Sequence, residues 1–265
     1  MPAGRSDLIR RLTIGSLCGQ LIFVVAIAVA GAIEPGYSEL RDAISFLGAR
    51  NAERPWLFDT AVAIWGAAFI AAAVALSLDA PRTWRGQLGP ALIGLTGIAQ
   101  ILAGFPFPAD CRDTIDAGCE ARELAGLVSW RHEAHSWAYI VGGDALLLSV
   151  FAMAWRFRGD SRWGRADLLA LGAALLGLPI FALLFFVADG GIDGNYGLIQ
   201  RLSLAAGAIW VAALAIGLLA IHGRPGDRAV RLVAWLRRFP IGRLAPEPAG
   251  DEPGSLAEDS ARSHI

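Results

Sequence analysis

Lysine is missing from this chain: all 23 basic side chains are arginine, and asparagine occurs only at Asn51 and Asn195. Lys and Asn codons are AT-rich, so the bias reads as a GC-rich bacterial coding sequence and not as function. Charge is scarce too. Asp, Glu and Arg make up 18% of the 265 residues, against about 25% in a soluble domain. The formal net charge of −1 leaves no basic surplus to recruit nucleic acid. No nucleotide-binding loop, GxSxG elbow or HExxH motif is present, so no cofactor is expected from a motif. Cysteine is limited to Cys18, Cys111 and Cys119.

What is abundant is apolar sequence: 55% of residues, with a mean hydropathy of +0.50. A helix crossing the hydrocarbon core needs about 20 mostly apolar residues, because its backbone must bond within the segment. Six stretches meet this, roughly 12–33, 57–78, 88–107, 133–155, 166–188 and 197–221. Barrel strands would alternate, whereas 61–76 is an unbroken apolar run. The expected fold is therefore all-α: a six-transmembrane-helix bundle.

Arginine placement sets the expected orientation. Arg5, Arg10 and Arg11 precede span one, Arg82 and Arg85 follow span two, and Arg156, Arg158, Arg162 and Arg165 follow span four. Arg224, Arg228, Arg231, Arg237 and Arg238 follow span six, while loops 34–56, 108–132 and 189–196 are acidic or balanced. Both termini are expected in the cytoplasm of a bacterial inner (cytoplasmic) membrane. Trp56, Trp130, Trp137, Trp155 and Trp163 fall near span ends, where interfacial tryptophans belong. Ala28-Val29-Ala30 resembles a signal-peptide cleavage site, but the apolar run exceeds the about 7–15 residues of a signal core, which favours a retained helix. Cys18, inside that run, is expected to be a core thiol.

The resulting organisation is a cytoplasmic tail (1–11), a membrane domain (12–221), a basic interfacial segment (222–243) and a polar, Pro/Gly-rich disordered tail (244–265). Within the third, 227–239 is amphipathic, with Leu232, Val233, Trp235, Leu236 and Phe239 opposite Arg231, Arg237 and Arg238, and suits anionic lipid headgroups. In the first outer loop, Leu40, Ile44 and Leu47 recur at helical spacing. A short helix from Ser38 to Gly48 is expected there.

Ionisable groups within a span are costly and usually face the bundle interior. Asp144 falls near the bilayer midplane, Asp59 and Arg201 near the outer boundary, and Gln100 between; Gln20 lies toward the inner side. With Ser45, Asp110, His132 and His135, most of these residues crowd the outer half, which points to a pocket opening outward. The competing role is hydrogen-bonded glue between helices, with Asp144 and Arg201 as partners. His132 and His135, three apart, share a helix face that could hold a metal ion with Asp59, Asp110 or Glu133. Cys111 and Cys119 lie in one outer loop, where an oxidising compartment permits a disulfide.

Several segments together resemble the DUF998 family of multi-pass membrane proteins of unknown function. They are AISFLGA (43–49) with the following PWLFD (55–59), GFPFPAD (104–110), the histidines opening span four, and GLIQR (197–201). The resemblance covers about residues 12–221 and picks out Ser45, Gly48, Pro106, Asp110, His132 and Arg201 as motif positions. It implies a membrane fold and no reaction. The two loop cysteines stand outside the pattern.

Three functions follow as expectations. The first is binding of a lipid or small molecule, in transport or as an accessory to envelope lipids, with membrane lipids as the expected partners and the oligomeric state left open. The second is a metal-dependent intramembrane hydrolase using Ser45, Asp59, His132 and His135. It lacks a third outer histidine, since His222 and His264 are expected inside. The third is a structural or assembly role.

Overall fold

The computed structural model describes residues 3–112, 116, 118–158, 160–163 and 196–223. Regular structure among them is entirely helical: α1 (Ala3–Ile33), α2 (Pro55–Asp79), α3 (Trp84–Gly104), α4 (Cys119–Leu124), α5 (Trp130–Phe157) and α6 (Tyr196–His222). Two 3₁₀ turns, Ile44–Gly48 and Ser161–Trp163, accompany them. All but the short α4 are long and apolar enough to cross a membrane, which gives five candidate spans among the described residues. They coincide with five of the expected six. The expected span 166–188, the amphipathic 227–239 and the tail 244–265 lie outside the described residues.

Local chemistry explains the helix ends. Pro55 opens α2, where its missing N–H costs nothing. Thr83 Oγ1 accepts from the Gly86 N–H at 3.2 Å to cap α3. At the far end of α3 the Phe105 N–H still reaches the Ile101 carbonyl at 3.0 Å. Pro106 and Pro108 then have no N–H to offer, so the helix stops three residues short of the expected 107.

Helices α1, α2, α3 and α5 pack in sequence order, and α6 lies against α1. Between apolar helices in lipid, association depends on close backbone approach. Gly66 and Gly97 supply it where α2 crosses α3: a Cβ on either would come within 2.5 Å of the other's carbonyl oxygen. Beside that crossing, Phe23 stacks on Trp65 at 4.2 Å, and Trp65 meets Phe69 edge-on at 5.1 Å. Leu21, Val25 and Val29 on α1 are exposed, as expected of a lipid-facing surface. Cys18 is on that exposed surface too and not in the core. Composition alone could not set the rotation of a helix apolar on every side.

One end of the bundle is tied by a buried carboxylate. Asp79, at the end of α2, accepts from Arg156 Nη2 at 2.8 Å, Arg162 Nη1 at 2.9 Å and His222 Nε2 at 2.8 Å. The side chains of Asp79 and Arg156 are 0% and 2% exposed. One anion therefore joins α2, the end of α5, the turn after it and the end of α6. Arg5 of α1 adds a hydrogen bond to the Leu78 carbonyl. Trp163, expected as an interfacial residue, is instead buried here, stacked on Phe157 at 4.4 Å. The other expected interfacial tryptophans, Trp56, Trp130, Trp137 and Trp155, are exposed.

Removing one member of a buried ion pair leaves its partner uncompensated, at a cost of about 3–5 kcal/mol. Asp79→Ala is therefore expected to lower the melting temperature in detergent sharply. Exposed Arg82→Ala, by comparison, should leave it within error, and equal melting of the two variants would contradict this account of Asp79.

Candidate functional site

At the opposite end, the loop after α1 is held onto the start of α6. The Gly197 and Leu198 N–H groups donate to the Arg41 and Leu40 carbonyls at 3.2 and 2.9 Å. Gly197 allows this approach, because a Cβ there would sit 2.4 Å from the Asp42 carbonyl oxygen. Gln200 Oε1 accepts from the Ile44 N–H at 2.6 Å, and its side chain also hydrogen-bonds Tyr139 of α5. Arg201 Nη1 donates to the carbonyls of Glu39 at 2.5 Å, Asp42 at 3.2 Å and Gly197 at 3.0 Å, while Nη2 donates to the Tyr37 hydroxyl at 2.5 Å. Burial pushes the Tyr37 phenol up to about 12, against the lowering effect of the Arg201 cation, so it stays protonated.

These bonds correct the expected helix from Ser38 to Gly48. The carbonyls of Leu40, Arg41 and Asp42 are turned to α6, and the Ser38 N–H is taken by Asp42 Oδ2 at 2.8 Å. The regular part shrinks to the 3₁₀ turn at Ile44–Gly48. Leu40 is exposed, whereas Ile44 and Leu47 are buried. Gly48 lies flat on Phe58, which links the AISFLGA segment to the α2 residues that follow it. Ser45 is half-buried in this turn.

A second network joins the loops before and after α4. Glu34 and Arg112 form a buried pair at 2.5 Å, and Glu34 also accepts from the Glu53 N–H at 3.2 Å. Cys111 and Cys119 are disulfide-bonded, with Cα atoms 5.9 Å apart. Asp110 accepts from the Ser129 N–H at 2.6 Å and its hydroxyl at 2.9 Å, bracing the start of α5, and faces Arg50 at 3.4 Å. Burial opposes ionisation of Asp110. The Ser129 bonds and the Arg50 charge outweigh it, holding the carboxyl below its ordinary range.

His132 is engaged at both ring nitrogens. Nδ1 accepts from the Asp110 N–H at 3.1 Å, and Nε2 faces Glu123 Oε1 at 3.0 Å. His135 Nδ1 lies 2.7 and 3.0 Å from the Ala103 and Phe107 carbonyls, so that nitrogen carries the proton. The described hydrogen bonds of His135 do not reach Ser45. Among the described residues, the metal-ligand types that converge are Cys111, Cys119 and Glu123, and both cysteines are committed to the disulfide. Asp59 Oδ1 is buried with no hydrogen-bond partner among the described residues.

The expected cavity residues are thus spread over several environments. Asp110 and His132 brace the loops, and Arg201 holds backbone carbonyls. Asp144, expected to face inward or to pair with Arg201, is exposed on the face of α5 that carries Val141 and Leu148. Its depth was readable from the sequence, but the rotation of α5 was not. Of the eight candidates, Gln100 lines a mid-bundle cleft of about 110 Å³ bounded by α3, α5 and α6. Its other walls include Trp65, Leu146, Val150, Leu204, Ala206 and Trp210, with Tyr139 and Ser203 as further polar groups. Thr96 at its edge bonds the Gly142 carbonyl at 3.0 Å, drawing α3 and α5 together. Sequence reasoning missed Gln200, although it sits beside Arg201 in GLIQR, and also the Glu34–Arg112 pair.

The family described as "Protein of unknown function (DUF998)" matches this sequence over residues 17–217. No curated protein and no solved structure matches it.

With its carboxyl held low in the folded protein, Asp110 contributes stability that is full above 3.8, the ordinary value, and is lost as pH falls through the lowered one. Asp110→Asn should flatten the fall in melting temperature below that pH. A fall as steep as in the unaltered protein would remove Asp110 from this role.

Proposed function

The chain belongs to the DUF998 family of proteins of unknown function, and from that premise we propose that it is a six-span bacterial inner-membrane protein that holds a lipid chain or small apolar molecule between α3, α5 and α6. Both termini face the cytoplasm, and the loops carrying the disulfide face outward. The observation that carries this reading is the mid-bundle cleft. Its walls are almost entirely carbon, with Gln100, Tyr139 and Ser203 as a few polar groups that could fix orientation. The two tied ends of the bundle support it by leaving the middle as the place where occupancy can vary. The engagement of His132 at both nitrogens favours binding over metal-dependent hydrolysis.

The orientation rests on the arginine distribution and on a cystine in a loop, which suits an oxidising compartment. Alkaline phosphatase fused at Asp116 should be active and a fusion after His222 inactive; the reverse pattern would overturn the assignment.

Lipid extraction and mass spectrometry of protein purified in mild detergent should find a stoichiometric apolar ligand. Ala206→Phe fills the cleft and should reduce that ligand several-fold, about what the loss of 1 kcal/mol of binding produces, with melting preserved. Equal ligand in both proteins, or none in either, would leave the structural role in place of the binding one.

A further inference from the structure

We propose a second site, separate from the cleft, at the Asp79 end of the bundle: a phosphate-binding recess between the start of α3 and the end of α5 that takes the phosphate of an anionic phospholipid headgroup. It rests on the membrane reading of the chain and not on occupancy of the cleft.

The recess has a volume of about 240 Å³ and is lined by Thr83, Arg85, Gly86, Trp155, Arg156 and Arg158. Three of these are cations, and no carboxylate is among the lining residues. The nearest acid in the network, Asp79, is already shared by Arg156, Arg162 and His222. Asp160 is paired with Arg162 at 2.7 Å. The recess therefore keeps an uncompensated positive charge.

Its floor is the start of α3. Thr83 Oγ1 caps this 21-residue helix by accepting from the Gly86 N–H, so the positive end of the helix lies at the recess. Arg156 supplies an independent sign of a missing partner. The residue is 8% exposed, and its Nε is buried with no hydrogen-bond partner among the described residues. Nη2 is spent on Asp79. The guanidinium that lines the recess therefore keeps more donors than the acceptors described around it, and its positive charge bears on the recess.

The rim fits a headgroup better than a freely diffusing anion. The Arg85 guanidinium lies 4.6 Å from the centre of the Trp155 ring and 5.7 Å from that of Trp84. Stacking holds the cation in place while its edge donors stay available. Trp84 and Trp155 are both exposed, meeting edge-on at 4.9 Å. Paired indoles at a span end sit at the headgroup level of a bilayer.

Full-length protein in detergent micelles, titrated with dioleoylphosphatidylglycerol and followed by native mass spectrometry, tests the site. Phosphatidylglycerol is expected to bind more tightly than dioleoylphosphatidylcholine. The Arg85→Gln/Arg158→Gln double variant, altering two exposed residues, should weaken phosphatidylglycerol binding by about tenfold or more with unchanged melting. Arg82→Gln, in the same connection but not in the lining, should bind like the unaltered protein. Arg85→Lys/Arg158→Lys, which keeps the charge, should recover part of the loss and separates charge from folding. Inorganic phosphate is the second arm: displacement of the lipid by millimolar phosphate means the recess takes the free anion as well, and no displacement assigns it to the lipid. Phosphatidylglycerol binding that is the same in the double variant, or no stronger than that of phosphatidylcholine, would overturn the proposal.

Discussion

A carboxylate with nowhere to go in hydrocarbon is the constraint around which one half of this bundle is arranged. Asp79 is fully buried where α2 ends. Burying an isolated anion would cost far more than a helix could recover, so cations must come to it. Arg156 arrives from α5, Arg162 from the turn beyond and His222 from the end of α6. These elements are distant in sequence, and the network fixes their relative heights. Trp163 is pulled inward with them and stacks on Phe157. Such a pair is weak evidence for net stability, but it is strong in specifying one arrangement, because any slip of α5 or α6 strands a charge.

The opposite end is organised by neutral backbone more than by charge. Gly197, Gln200 and Arg201 of α6 take up carbonyls and an N–H of the loop that follows α1. Gly48 lies on Phe58, and Asp110 and His132 brace the start of α5. The short segments that carry the family resemblance therefore meet in space as a clamp on irregular backbone. Irregular backbone near a membrane must have its polar groups satisfied by protein, and these motif residues supply the partners.

Between two tied ends lies the mid-bundle cleft. Where α5 and α6 separate, apolar side chains and a few polar groups remain to be filled. That middle is where the proposed apolar ligand would sit. The cationic recess beside Trp84 and Trp155 adds the proposed headgroup contact at one end. The two proposed sites differ in chemistry, one lined mainly by carbon and the other by arginine.

The sequence by itself determined that the chain is helical and built to cross a membrane, because hydrocarbon forces long uncharged runs whatever they pack against. It also carried the ordered motifs of the family, and it placed the two loop cysteines close enough to pair. It did not determine the rotation of any helix: α1 is apolar all round, so Cys18 proved exposed, and the depth of Asp144 said nothing of the face it occupies. Nor did it separate residues that stay available from residues consumed by neighbours. Arg201, His132 and Asp110 look alike in sequence as polar groups near an outer boundary, and only the fold brought backbone carbonyls, Glu123 and Ser129 to them. Pairings such as Asp79 with Arg156 and Glu34 with Arg112 join residues more than seventy positions apart. Tertiary packing alone decides them, because no local periodicity encodes which span ends will meet.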